Sequence, residues 1–274
     1  MRVFDVKICE NGRLTCYICD ESPEMPDVVR DAMLVLPGGG YGACCDREGE
    51  PIVKKYLAAG MNAFCLRYSV GAKAGGFMPL VEASYAMKYI RENAKEFNID
   101  PERIFAVGFS AGGHLCASLG TFWRAPWLME KLGPDFPEGI NKPNGTVLSY
   151  AVISAVEGSH RPSMETIIGK PDPTEEDFER YSVELHVGED TAPAFIWATA
   201  DDSVVPVINS IRMAEKMSAA GKNFELHIWP HGPHGLSLAE KETSVGFPSM
   251  INEAAAEWVP LSIKWIERLR DEAK

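Results

Sequence analysis

Ile104-Phe105-Ala106-Val107-Gly108-Phe109-Ser110-Ala111-Gly112-Gly113-His114 is the stretch from which the rest of the chain can be read. Ile104 to Val107 is a short apolar run of strand type, and Ala111 to Leu119 has helical character. Between them lies G-x-S-x-G, the pattern of a nucleophile elbow, in the strand–turn–helix context that such an elbow requires. The turn is so tight that its central residue is strained, and glycines on either side let neighbouring backbone pass without a Cβ clash. It also sets the helix N-terminus under the reacting carbon, where backbone N–H groups meet developing negative charge. The alternative is a glycine-rich turn with an incidental serine; the flanking strand, the helix and the added Gly113 favour Ser110 as a nucleophile.

Outward from this stretch, strand and helix signals alternate. Toward the N-terminus, two alternating runs, Val3 to Ile8 and Leu14 to Cys19, flank Asn11-Gly12, a strong hairpin signal. A polar link, Glu21 to Asp31, follows, then Met33 to Leu36 (strand), Glu50 to Ala59 (helix), Asn62 to Leu66 (strand) and Pro79 to Phe97 (helix). In the last of these, Leu80, Ala83, Met87, Ile90 and Ala94 share one face. Toward the C-terminus come strands at Val147 to Ile153, Ala194 to Ala198 and Glu225 to Trp229, and helices at Val207 to Ala220 and Glu253 to Arg270. Apolar strands alternating with helices predict an α/β fold, a mostly parallel sheet covered on both faces, with the hairpin as an antiparallel edge. Two stretches break the rhythm, at about 122–146 and 154–193, and are expected to be lid-like inserts in a single domain spanning 1–274.

Composition bounds the function. The chain has 274 residues, 46% hydrophobic and 24% charged, enough to bury a core without a metal or disulfide staple. Its net charge of −12 disfavours nucleic acid and anionic membranes as partners and leaves a neutral small molecule open. No apolar leader follows Met1, no window suits a transmembrane helix, and the seven cysteines do not form a disulfide framework, so a cytoplasmic location is expected.

A serine hydroxyl needs a base. His234, in His231-Gly232-Pro233-His234-Gly235 beyond the strand at 225–229, stands where a parallel sheet presents its chemistry, with His231 as the fallback. His114 and His227 read as packing residues. The acid should follow another strand, and Asp201-Asp202 follows the run 195–200. The order Ser, Asp, His is that of α/β-hydrolases. Asp201, first off the strand, is preferred as the partner of His234, and Asp202 is assigned a capping or bracing role. Pro37-Gly38-Gly39-Gly40-Tyr41 occupies the place of an oxyanion loop, so Gly39 or Gly40 should supply one N–H and Ala111 the other. A phosphate cradle is disfavoured, because neither G-x-x-x-x-G-K-[ST] nor G-x-G-x-x-G is present there.

Four stretches, PGGGY (37–41), GFSAGGH (108–114), TADDSVVP (199–206) and HGPHG (231–235), resemble those of α/β-hydrolases of the esterase/lipase group. The similarity is to acetyl esterases and acetylxylan-esterase-like proteins, some of them labelled xylanase B, and it runs from about residue 33 to the C-terminus. The resemblance implies Ser110 as nucleophile, Asp201 as acid, His234 as base, and Gly39, Gly40 and Ala111 as oxyanion donors. Related peptidases of the prolyl oligopeptidase group use the first member of such an Asp-Asp pair, which points the same way. The expected activity is hydrolysis of small, neutral, acetylated esters, with no metal or cofactor. A prolyl oligopeptidase-type peptidase and a non-catalytic hydrolase-fold binding protein are the rivals. The first needs a large screening domain, for which the stretch before Met33 leaves no room; the second would have lost a triad member or the glycines.

Other residues admit two readings. Tyr41 lines the pocket or braces its loop; Trp123 and Trp127 form a substrate wall or pack the first insert. Glu157, His160 and Ser163 are candidates for facing the pocket, and Cys44 and Cys45 for lying near its mouth. Cys16 and Cys19 form a lone C-x-x-C that reads as packing, and Glu175-Glu176-Asp177 as a solvated face at a helix start.

Overall fold

In a computed structural model, which describes residues 1–25 and 28–272, the hairpin forms as the Asn11-Gly12 signal requires. Strand β1 (Arg2–Ile8) pairs antiparallel with β2 (Gly12–Ile18). The chain continues through β3 (Arg30–Leu36), α1 (Glu50–Ala58), β4 (Asn62–Arg67), α2 (Met78–Glu92), β5 (Ile99–Phe109) and α3 (Ala111–Phe122). Beyond these lie α4 (Pro126–Leu132), β6 (Gly145–Ser149), α5 (Arg161–Ile168), α6 (Glu175–Tyr181), β7 (Ala194–Thr199) and α7 (Ile208–Ala219). Strand β8 (Phe224–Trp229) and helices α8 (Glu253–Ala256) and α9 (Trp258–Glu272) complete the order.

The strands make one sheet in the order β1-β2-β4-β3-β5-β6-β7-β8. Only the β1–β2 and β2–β4 pairings are antiparallel; from β4 across to β8 every pairing is parallel. The central strands are buried on both faces because each face has its own helical cover. Leu34, Leu36 and Ala106 point into a cluster with residues of α2, α3 and α7, such as Leu80, Leu115 and Met213. Met33, Val35, Phe105 and Val107 point the other way, toward Ile52 and Val53 of α1 and Trp258 and Ile266 of α9. This is the fold class expected, with shifted boundaries. Strand β3 starts at Arg30, so Arg30 and Asp31 belong to the sheet and not to the polar link. Pro26 and Asp27, inside that link, lie outside the described residues. Strand β6 ends at Ser149, short of the expected Ile153, where Tyr150 turns at φ 37°.

The parallel arrangement delivers the ends of β3, β5 and β7 and the chain beyond β8 to one edge of the sheet, which builds the site. Both irregular stretches carry helices. In the first, Leu128 and Leu132 of α4 join the core. In the second, Tyr181 meets Phe77 with ring centroids 5.0 Å apart. Its helix α6 begins with a capping box between Thr174 and Asp177. Asp177 thus turns back onto its own helix start, and only its neighbours Glu175 and Glu176 are solvated.

Candidate active site

Ser110 lies between the last residue of β5 and the first of α3, at φ 52° and ψ −118°. That conformation costs an L-residue on the order of 1–3 kcal/mol, so the surroundings must enforce it. They do so by close approach. A Cβ on Gly108 would lie 2.1 Å from the Gly112 carbonyl oxygen, and one on Gly112 would lie 2.2 Å from that of Leu36. The Ser110 N–H donates to the Ser149 carbonyl (3.0 Å), and its carbonyl receives the N–H of His114 (3.0 Å) and of Val152 (3.1 Å). The side chain is left to project from the turn.

Its Oγ is 2.8 Å from His234 Nε2. His234 Nδ1 is 2.7 Å from Asp202 Oδ2. Because a carboxylate can only accept, Nδ1 carries the proton and Nε2 is the acceptor for the Ser110 hydroxyl. The Asp202 side chain has no exposed surface and that of His234 is 16% exposed. Asp202 Oδ1 accepts the N–H groups of Val204 and Val205, each at 2.9 Å, which locks the carboxylate toward the imidazole.

The structure thus places Asp202, and not the expected Asp201, on His234. The chain turns after β7, so that Ala200 and Asp201 face out and Asp202 faces in. The half-exposed Asp201 carboxylate takes His231 Nδ1 at 3.1 Å and the Gly232 N–H at 2.7 Å. These bonds hold its carboxyl below the usual carboxylate range. What separates the two aspartates is the folded turn: Asp202 Oδ1 accepts the N–H groups two and three residues on, those of Val204 and Val205, an Asx turn that aims its side chain inward. The same contact places His231, 84% exposed, on the outer aspartate and not at Ser110.

The glycine loop lies against the elbow. A Cβ on Gly38 would come 3.0 Å from Ser110 Cβ. Gly39 and Gly40 adopt φ 130° and 62°, backbone turns that other residues adopt only under strain. The Gly38 N–H is spent on Glu48 (2.8 Å). Among the described residues no acceptor takes the N–H of Gly39, Gly40 or Ala111, so the donors expected at an oxyanion site are unspent. Over Gly40 sits the second insert. A Cβ there would find Ser163 Oγ at 3.6 Å and His160 Cε1 at 4.0 Å. His160 Nδ1 is 2.7 Å from Ser163 Oγ. Burial first, and then the His234 charge, lower the His160 pKa, while Asp202 opposes them.

The other candidates divide. Tyr41 is fully buried and bonds His114 Nδ1 (2.7 Å), so it braces the loop. Trp123 donates to the Asp190 carbonyl and Trp127 stacks on Phe77, so both pack the insert. Glu157 pairs with Arg212 in solvent. Cys45 lies 3.4 Å from a Cβ built on Gly39. Burial raises its thiol pKa, and pushes that of Cys44 to about 11. Cys16 is buried in the core. His227 bonds Glu225 at 2.7 Å within β8. Sequence reasoning missed Glu48 and Tyr150, which the fold brings together beneath the glycine loop.

With this geometry in place, a family model for BD-FAE matches residues 23–217. The chain belongs to the BD-FAE family. This BD-FAE chain is 38% identical over 224 residues to endo-1,4-beta-xylanase B of Butyrivibrio fibrisolvens, covering 81% of the chain and 35% of that protein. It is 30% identical over 244 residues to the acetylxylan esterase of Xylanibacter ruminicola, covering 86% and 46%. It thus spans less than half the length of either curated relative. Its fold is similar to that of MGS-M1, an α/β-hydrolase enzyme from a Medee basin deep-sea metagenome library, with TM-score 0.81 and 35% identity over 99% of this chain and 98% of that one. The resemblance to esterases and the α/β-hydrolase fold are thereby borne out for this BD-FAE member.

Proposed function

We propose that this protein is a serine carboxylesterase that removes short acyl groups, acetyl first among them, from small neutral esters. The observation that carries the reading is the unbroken relay Asp202–His234–Ser110, at 2.7 and 2.8 Å, beside the unspent N–H groups of Gly39, Gly40 and Ala111. His234 Nε2 takes the Ser110 proton as Oγ attacks the ester carbonyl, and Asp202 stabilises the imidazolium that forms. The oxyanion is received by Ala111 and by Gly39 or Gly40, each donor contributing roughly 3 kcal/mol to the transition state. The intermediate collapses, His234 Nε2–H protonates the leaving alcohol, and an acyl-Ser110 ester remains. Water then attacks that ester, His234 Nε2 taking its proton; the C–Oγ bond breaks, His234 returns the proton to Ser110 Oγ, and the carboxylic acid leaves. The segment 154–193 forms a wall over the site in this reading, since His160 and Ser163 overlie Gly40. The name of the Xylanibacter relative supports acetylated carbohydrate as the substrate class.

The test is hydrolysis of p-nitrophenyl esters from acetate to octanoate, with Ser110→Ala as control. Acetate should be turned over fastest, and S110A should lose about 10⁶-fold in kcat while staying folded. A fluorophosphonate should label the wild type at Ser110 and leave S110A unlabelled. Undiminished turnover in S110A overturns the mechanism.

A further inference from the structure

The turn at 46–48, just beyond the glycine loop, touches both halves of the site. Glu48 is only 2% exposed. Its Oε2 accepts the Gly38 N–H at 2.8 Å, and its Oε1 is 2.7 Å from the Tyr150 hydroxyl. Tyr150 Oη accepts the Ser237 N–H at 3.0 Å. The Tyr150 ring stands edge-on to His234, with centroids 5.1 Å apart at 75°. The neighbouring Arg47 donates to the Gly235 carbonyl, and its own carbonyl accepts the Ser237 hydroxyl, both at 2.5 Å. The residues following His234 are thus fastened to the same turn that fastens the glycine loop.

The bond pattern fixes which form of Glu48 is present. Tyr150 accepts the Ser237 N–H and donates its own proton to Glu48 Oε1; were Glu48 protonated, either its proton or that of Tyr150 would be left without an acceptor. The Gly38 N–H occupies the other oxygen. With both oxygens accepting, the group is a carboxylate. Burial opposes this by raising its pKa; the Tyr150 bond, Arg47, the Gly38 bond and His234 act in the other direction. A buried charge is an expensive way to hold a loop, because its desolvation must be offset by such bonds. A neutral side chain could brace the loop, but it could not accept from both sides and carry a negative charge near the base.

We propose that Glu48 is a positioning residue for the reaction: its buried carboxylate, bonded to Gly38 on one side and Tyr150 on the other, holds the oxyanion loop in register with His234. The inference rests on the esterase reading. Because Glu48 acts through groups that engage developing charge, its loss should fall on kcat and spare KM. It should also move the pH profile. Around Glu48 stand Arg47, Tyr150, His234, Tyr68 and Cys45; around His234 stand Asp202, His160 and Glu48. Removing one negative charge from this set makes the imidazolium less favourable, so the acid limb of kcat/KM moves to lower pH.

The experiment compares wild type, Glu48→Gln, Tyr150→Phe and the double variant on p-nitrophenyl acetate. Glu48→Gln keeps the shape but sets a donor against Gly38 or Tyr150. It should lower kcat by about 10²-fold, the size of effect expected when catalytic donors are misplaced by about 1 Å, with KM near wild type and the acid limb displaced. Tyr150→Phe leaves the Gly38 bond intact and should lose less, and the two losses should not add in the double variant. A folded Glu48→Gln with wild-type kcat and an unmoved acid limb overturns the inference. So does additive behaviour in the double variant, or, if Glu48→Gln fails to fold, a Tyr150→Phe protein with wild-type kinetics. Fluorophosphonate labelling separates this failure from the larger one. A wild type that neither labels nor turns over overturns the esterase reading and this inference with it; labelling and turnover beside an unimpaired Glu48→Gln overturn this inference alone.

Discussion

Asp201 and Asp202 are chemically identical neighbours, and the backbone between them decides which one can serve as the acid. Asp202 has its carboxylate clamped by two N–H groups and pointed at His234, whereas Asp201 faces solvent on His231. Asp202→Asn should therefore lower kcat by about 10⁴-fold, as expected when the orienting carboxylate that selects the base's tautomer is lost. Asp201→Asn should leave kcat close to wild type. Steady-state turnover of p-nitrophenyl acetate decides it: a large loss in Asp201→Asn with an active Asp202→Asn would reverse the assignment. The serine and the base are legible in the sequence because each sits in a local pattern, G-x-S-x-G or a loop after a strand. The choice of aspartate is not legible in this way: both stand two and three residues before backbone N–H groups, and only the folded turn gives Asp202 those of Val204 and Val205. Glu48 carries no such local mark. A glutamate just before a helix looks like any surface residue until long-range folding places it against Gly38 and Tyr150.

At the scale of elements, the strand–turn–helix unit β5–Ser110–α3 is where packing and chemistry depend on each other most directly. Gly112 of α3 presses on the Leu36 and Pro37 carbonyls at the end of β3, which brings the elbow and the glycine loop together. Gly112→Ala should push them apart and cost about 3 kcal/mol or more, the range of severe overpacking against backbone that cannot yield. Gly42→Ala, in the exposed part of the loop with its nearest neighbour 3.7 Å from the added Cβ, should be close to neutral. Urea midpoints of the two variants test this, and equal midpoints would show that the elbow relaxes freely. The sequence of strands and helices is legible because central strands such as β3 are continuous apolar runs and the helices between them are periodic. Boundaries are less so. Arg30 and Asp31 look like linker until Asp31 is seen paired with Arg103 of β5. The segment 154–193 has no period to read, because its helices α5 and α6 are short and set by contacts with Gly75–Phe77 and α3.

For the molecule as a whole, the pH dependence of stability involves a buried histidine outside the relay, His114. It stacks on Phe77, with centroids 5.4 Å apart, and is sealed by Tyr41 and Tyr181. Its Nε2 donates to the Tyr181 carbonyl (2.8 Å), so Nδ1 must accept from the Tyr41 hydroxyl, and the ring is neutral. Protonation would put a second donor against Tyr41 in a fully buried site. Burial accordingly lowers its pKa to about 4 from 6.5, with the Tyr181 bond opposing. The folded pKa lies below the unfolded one, so the unfolded chain binds this proton first. The stabilisation is complete above pH 6.5 and is lost as pH falls toward 4, in total about 3 kcal/mol. Buried Glu48, Glu82 and Asp31 have raised pKa values and contribute in the opposite direction, so the wild-type slope alone is a sum of both effects. His114→Gln removes one of these contributions and keeps the others. It should be less stable than wild type at pH 7, and its unfolding free energy should fall between pH 7 and pH 4.5 by about 2 kcal/mol less than that of wild type. Urea unfolding at the two pH values measures the difference. Parallel losses in the two proteins would mean that His114 is protonated as readily in the core as in the unfolded chain, and that the acid sensitivity of the fold arises elsewhere.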